Sequence, residues 1–312
     1  MTCLRTLFHL QRRAERAPAV PPGWDDHVHL LAVAPLVGAH VGSAHTGWSL
    51  HTLGSSGRVG THFHSVEQSF YVVSGNPLLT TDGRTYRLSA NECGLFPVAV
   101  SHAWRNQEPE SAVWLEVSAP APRLSGPRDT FWTGEPAEGD DAALPPDIRD
   151  PRTRTLFRLG ESDMNLDSLK LGAPVDAPTV SASMATALLA YSGIAVKMLI
   201  DQRLGAVLHQ MFMVEYEPGG VAQPHDHPFE ETYYVLEGEI QASADDQQFT
   251  LAPGDLLWTG VGCIHSFHNR SQRRVRFLET QSPLPPANYS YRFNRDWDYV
   301  ATRLDERDSR QF

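Results

Sequence analysis

Apolar and aromatic positions fall in short runs separated by turn residues along most of the chain. Ser69–Val73 and Thr232–Leu236 are aromatic and β-branched runs of strand length, the composition that fits a pleated, half-buried surface. Turn signals follow closely at Asp82-Gly83, Asp245-Asp246 and Pro253-Gly254, and this spacing predicts an all-β sandwich or barrel. One stretch reads differently: within Thr179–Leu199 the run Met184–Ala190 has helical composition, which Ser192-Gly193 should interrupt. Pro120–Pro151 is rich in Pro, Gly, Asp and Glu and reads as a linker. The tail from Pro283 carries Pro285-Pro286, several aromatics and then mixed charge. It is expected to wrap the preceding barrel before fraying.

The pattern repeats. His62–Asn106 lies over His225–Asn269 without a gap, at a constant offset of 163. Eleven of the 45 positions are identical, among them His62/His225, His64/His227, Gly75/Gly238, His102/His265 and Asn106/Asn269. A duplicated domain follows, with expected boundaries of 1–39 for an N-terminal extension, 40–125 for the first barrel, 126–185 for a linker with a short helix, 186–285 for the second barrel and 286–312 for a tail.

Composition narrows the function classes. A length of 312 residues suits one large domain or two ordinary ones. A net charge of −11 argues against nucleic acid or an anionic membrane as the main partner. Lys170 and Lys197 are the only lysines, so Schiff-base chemistry has two candidates. Cys3, Cys93 and Cys263 are isolated and far apart, which indicates neither a disulfide framework nor a thiolate zinc knuckle. No apolar run approaches the roughly 18–20 residues of a membrane helix. The apolar stretch around Leu7–Leu10 is too short for a signal sequence, and a reducing cytoplasm is the default reading.

In the second copy His225 and His227 stand at i and i+2, so on a strand they project from one face. Strand pairing could bring Glu231 and His265 to the same interior. Three imidazoles and a carboxylate suit Fe(II), Mn(II), Ni(II) or Zn(II), and leave one or two open positions on a five- or six-coordinate ion. The segment resembles the two motifs of the cupin superfamily, G-x5-H-x-H-x3/4-E-x6-G and G-x5-P-x-G-x2-H-x3-N, with Gly260 where the pattern has proline. Two copies make the chain similar to a bicupin. The resemblance implies tandem jelly-roll β-barrels, each with a metal inside its mouth. The first copy keeps His62, His64 and His102, but Ser56 replaces the leading glycine, Gln68 the glutamate, Asn91-Glu92 the Gly-Asp and Ala99 the second-motif glycine. A second metal site there, built from His62, His64, Gln68 and His102, has lost a first-shell charge, and the second barrel is the preferred centre.

Tyr233 and Phe267, with their counterparts Phe70 and Trp104, share the interior face with the ligands and read as barrel core or as a substrate wall. Asp226 should alternate outward as a surface charge, Glu230 should be an exposed neighbour of Glu231, and Glu67 should point away from Gln68. Cys263 reads as a small core residue.

The resemblance spans oxygenases, decarboxylases, isomerases, hydrolases and inert members. The leading expectation is an Fe(II) oxygenase acting on a small aromatic or enolisable substrate, without a nucleotide cofactor because no nucleotide-binding glycine motif is present. An alternative is a non-redox Mn(II) or Zn(II) hydrolase, isomerase or cyclase. The layout is distantly similar to (S)-ureidoglycine aminohydrolase, whose ligand set matches here only at His227; gentisate-type ring cleavage is a further bicupin activity. A non-catalytic small-molecule-binding cupin is the third class, and a homo-oligomer would cover exposed sheet edges.

Overall fold

The computed structural model describes residues 7–123, 129–135, 155–160, 164, 193–284 and 292–293. Two antiparallel jelly-roll barrels follow one another. The first is organised by strand Gly47–His64, which pairs with Ala112–Ala119 through Gly47–Leu53 and with His102–Arg105 from Arg58 onward. Ser56 adopts a left-handed backbone (φ 62) between these halves, so one long strand bends across both layers. In the second barrel the equivalent chain is split into Gln210–Tyr216 and Val221–Asp226, which lie in different sheets.

Three of the first copy's departures from the motif turn out to preserve its backbone. Ser56, Asn91 and Ala99 have φ of 62, 70 and 65, where the second copy has Gly219, Gly254 and Gly262 at φ 81, 92 and 78. Asparagine tolerates this region and alanine is strained in it. The asparagines match as well. Asn106 Nδ2 donates to the carbonyls of Leu53, Gly54 and Glu110, and Asn269 Nδ2 to those of Tyr216, Glu217 and Arg273. Each pins the turn that closes its barrel.

Each barrel has its own aromatic interior, and a third apolar cluster lies between them. It joins Leu36, Trp48, Tyr71 and Val117 of the first barrel to Ile200, Met213, Trp258 and Leu278 of the second. Two carboxylates lock this interface reciprocally. Glu67 accepts hydrogen bonds from the backbone N–H groups of Val207 (2.8 Å), Leu208 (3.0 Å) and His209 (3.3 Å), and pairs with His209 Nδ1 at 2.8 Å. Glu230, at the equivalent place in the second copy, accepts from Ser43 Oγ (2.5 Å) and the backbone N–H groups of Ala44 (3.0 Å) and His45 (3.2 Å). Glu67 thus points away from Gln68, as alternation requires. Glu230 does not match its expectation: it is buried, because the other barrel's loop covers it.

The segments expected to be extension and linker enter the sheets. Phe8–Gln11, ahead of the first barrel, pairs with Leu256–Thr259 of the second. Leu156–Arg158, ahead of the second barrel, pairs with Glu92–Phe96 of the first. Val28–Val37 and Thr130–Gly134 both pair with Gly47–His64. Proline- and glycine-rich composition marks Pro120–Pro151 as irregular, yet an exposed strand edge offers Thr130–Gly134 backbone partners that composition does not register. The helical run Met184–Ala190 lies outside the described residues, as does most of the tail. Arg292–Phe293 pairs with Val221–Asp226. That returning strand flanks Asp226, which is buried rather than the surface charge its alternation suggested. Among the described residues no helix is long and apolar enough to cross a membrane.

Candidate metal centres

The ligand atoms of His225, His227, Glu231 and His265 lie within 4.8 Å of one another, and so do those of His62, His64 and His102. All seven residues are buried. The spacing and the topology both contribute. The H-x-H pairs sit at the ends of Gly47–His64 and Val221–Asp226, and antiparallel register brings His102 opposite His62 and His265 opposite His225. Gln68 and Glu231 come from the next strands, Glu67–Ser74 and Glu230–Glu237.

Backbone carbonyls orient the imidazoles. Nδ1–H donates to Gly60 O from His62 (2.7 Å), to Val100 O from His102 (3.1 Å), to Gln223 O from His225 (2.7 Å), to Phe229 O from His227 (2.8 Å) and to Cys263 O from His265 (3.0 Å). His64 Nδ1 meets Thr130 Oγ1 at 3.1 Å. A proton held on Nδ1 leaves Nε2 as a lone pair, the form that ligates a metal.

The consequences differ between the barrels. In the first, His64 Nε2, His102 Nε2 and Gln68 Oε1 are buried without a hydrogen-bond partner among the described residues. Three buried acceptors without donors are costly unless a cation sits between them. In the second, His227 Nε2 lies 2.6 Å from Glu231 Oε2, and His265 Nε2 lies 3.3 Å from the same oxygen. Acceptors at that distance need a shared cation, a proton or a metal ion. Both donor sets therefore fit a divalent metal, the first with three neutral imidazoles and an amide oxygen, the second with three imidazoles and a carboxylate.

Burial disfavours the charged form of four of these imidazoles. Burial lowers the pKa of His62, and burial reinforced by His62 holds His64 and His102 well below the ordinary imidazole range. Burial, with His265 beside it, takes His225 down to about 3. Burial alone would raise Glu231, but His227 and His265 bring it well below the usual carboxylate range. Burial and the Glu231 charge push Glu279 well above that range.

These shifts predict a sign for acid stability without metal. Unfolding restores each histidine to about 6.5, so below that pH the unfolded chain binds more protons than the folded one. Stability should then fall as pH drops from 6.5 towards 3, by up to about 1.4 kcal/mol per pH unit for each such histidine. Denaturant titrations of chelator-treated protein at pH 7 and pH 5 measure this. Equal midpoints would contradict it.

A cavity of about 570 Å³ lies in the first barrel, lined by His64 and Gln68 of the candidate centre. Apolar Trp24 and Val66 and polar Ser49, His51 and Glu116 contribute to its walls. His51 Nε2 is 2.8 Å from Ser49 Oγ and 3.4 Å from Glu116, and Trp114 Nε1 donates to Glu116 at 2.8 Å. Outside the ligands, Trp132 packs on His62 (4.8 Å between centroids) and stacks on His27 at 4.4 Å.

Sequence reasoning placed the preferred centre in the second barrel, whereas this cavity belongs to the first. It also missed His51, Glu116, Thr130 and Trp132. None belongs to a metal motif, and Thr130 and Trp132 lie in the stretch read as linker. The four rings read as barrel core or as a substrate wall all pack in the cores. Phe70 and Trp104 are fully buried in the first barrel's core, with Trp104 stacked on Trp114 at 4.6 Å, and Phe267 packs in the second core against Tyr216 and Phe277. Rings this large interlock within the barrel cores. Tyr233 is the one of the four with a hydroxyl, and it contacts Glu231 and His265, while the Phe267 ring meets His265 edge-on at 6.2 Å between centroids. Cys263 is buried in the core, and burial pushes its thiol up to about 12.

Comparison with known proteins agrees with this architecture. The cupin domain family matches twice, at residues 49–118 and 212–280. Salicylate 1,2-dioxygenase from Pseudoaminobacter salicylatoxidans, solved with gentisate, superposes with a TM-score of 0.67 at 14% identity, over 89% of this chain and 81% of that one. Oxalate decarboxylase from Lactobacillus farciminis, solved as a formate complex, gives 0.61 at 15% identity, over 95% and 93%. Two curated relatives match over shorter stretches: the beta-D-galactosidase Rv1717 of Mycobacterium tuberculosis (35% identity over 65 residues, 21% of this chain and 56% of the relative) and the polyketide synthase CurC of Streptomyces cyaneus (30% over 90 residues, 28% and 58%). The matches span just over half the length of these relatives. Two cupin domains, in tandem jelly-roll barrels that each hold a buried histidine cluster, are consistent with a bicupin of the cupin superfamily.

Proposed function

We propose that this bicupin is an Fe(II)-dependent oxygenase whose substrate enters the first barrel. The observation that carries the reading is the 570 Å³ cavity lined by His64 and Gln68, whose Nε2 and Oε1 atoms are buried without partners. His62, His64 and His102 would hold the metal, with Gln68 as a fourth donor. Bound there, Fe(II) would supply one-electron chemistry toward O₂ and open positions for oxygen donors of a substrate. Fewer protein ligands mean more open positions, so the loss of the motif glutamate favours substrate chelation as much as it weakens metal affinity.

The chain's own residues shape the substrate. Trp24 and Val66 offer apolar surface, while Ser49, His51 and Glu116 offer hydrogen bonds. This mixture suits a small ring or enol carrying hydroxyl or carbonyl oxygens. Burial lowers the His51 pKa although Glu116 opposes it, so His51 stands as a neutral base within reach of the cavity. The likeness in fold to a dioxygenase supports the reading at the level of architecture.

A non-redox hydrolase is the second reading, favoured by the galactosidase-named relative and by Glu116 in the cavity wall. Metal analysis of anaerobically purified protein, combined with O₂ uptake on a panel of hydroxylated aromatics and enediols, separates the two. Iron with substrate-dependent O₂ uptake is expected. Zinc or manganese with no O₂ uptake would replace the oxygenase by the hydrolase.

A further inference from the structure

The second barrel's centre contains a group that its motif does not include. Tyr233 Oη contacts Glu231 Oε2 and lies 2.7 Å from His265 Nε2. Two atoms bound at right angles to one ion with bonds of about 2.0–2.1 Å stand roughly 2.9 Å apart. The phenol oxygen therefore sits at about the spacing of a neighbouring ligand from His265 and in contact with Glu231. Its single hydrogen cannot serve both contacts. His265 Nδ1 donates to Cys263 O at 3.0 Å, so His265 Nε2 is an acceptor, as is the Glu231 carboxylate. Two acceptor atoms thus compete for one hydrogen. The crowding is specific to this barrel: Phe70 occupies the equivalent position of the first and has no hydroxyl.

We infer that Tyr233 is a fifth protein ligand, making the second barrel a His₃-Glu-Tyr metal site. On ligation the phenol's O–H bond is replaced by an O–metal bond, and the proton leaves to solvent; no electron is transferred. Five protein ligands leave a six-coordinate ion at most one open position, too few to chelate a bidentate substrate. The two barrels then divide the work: a closed centre in the second, and an open centre beside a cavity in the first. This inference rests on metal binding by the second cluster and is independent of which reaction the first barrel performs.

Phenolate bound to Fe(III) has a visible charge-transfer absorption that imidazole and carboxylate ligands lack, so the test needs no turnover. Full-length protein is loaded with Fe(III), its iron counted, and its visible absorption and resonance Raman spectra recorded. The expected result is a visible band with tyrosinate vibrations, retained in His102→Ala and lost in Tyr233→Phe. Tyr233→Phe should still bind iron, with affinity weakened by at least about tenfold. Iron bound at the second cluster of the wild-type protein without the band would overturn the inference while leaving the metal assignment standing. Failure of His102→Ala to bind any metal would overturn both. The wild-type spectrum decides the matter even if the phenylalanine variant folds poorly.

Discussion

Replacing His102 by alanine is expected to remove one metal ion per chain and abolish turnover, whereas replacing His225 should remove the other ion and leave the first barrel's metal in place. The asymmetry follows from the position of the cavity. His64 and Gln68 line a space of about 570 Å³, and loss of His102 from the opposite strand leaves two imidazoles and an amide to hold a divalent ion. Outer-shell changes alone typically reduce metal affinity or activity 10–100-fold, so removal of a ligand should exceed about 100-fold. Metal counts on His102→Ala and His225→Ala, paired with O₂ uptake, provide the measurement. Full turnover in His102→Ala and none in His225→Ala would return the chemistry to the second barrel.

Glu67→Ala should be the most destabilising single change outside the metal centres. It would strand the N–H groups of Val207, Leu208 and His209, the last of them buried, and remove the partner of His209 Nδ1. Unsatisfied donors cost about 1–3 kcal/mol each when buried, and several are left by this one change. A loss of about 3–5 kcal/mol is expected, lowering Tm by roughly 10 °C. Glu230→Ala should behave alike, because Glu230 holds Ala44 and His45 in the mirror arrangement. Burial alone would raise the Glu67 pKa, but His209 and the Val207 amide lower it overall. Its contribution is therefore present above the unfolded carboxylate value and lost as pH falls through the folded one. Thermal unfolding of both variants at neutral pH is the check; a Tm within a degree or two of wild type would refute the clasp.

Glu67 and Glu230 also show where sequence reading ran out. Both were visible as a repeat pair 163 positions apart, and alternation correctly turned Glu67 away from Gln68. What they turn towards was hidden, since their partners lie 140 to 187 residues away in the other barrel. Asp226 failed for a related reason: alternation assigns a face, but not whether a later strand covers it. The motif glycines show the reverse. Ser56, Asn91 and Ala99 looked like decay of the first copy, yet they hold the same left-handed backbone as Gly219, Gly254 and Gly262. Packing around those turns outweighs the residue preference.

What the sequence determined by itself is local and periodic: the duplication, the all-β class, and two histidine sets whose i, i+2 spacing puts imidazoles on one face. Such features need only strand geometry, which spacing encodes. Tertiary structure alone decided which barrel carries the described cavity, how a presumed linker became a wall over His62 and His64, and how each barrel clasps the other. It also set a phenol hydroxyl among the second barrel's ligands. These arrangements depend on strand register and on surfaces brought together from distant parts of the chain, where burial removes competing water and makes each polar contact decisive.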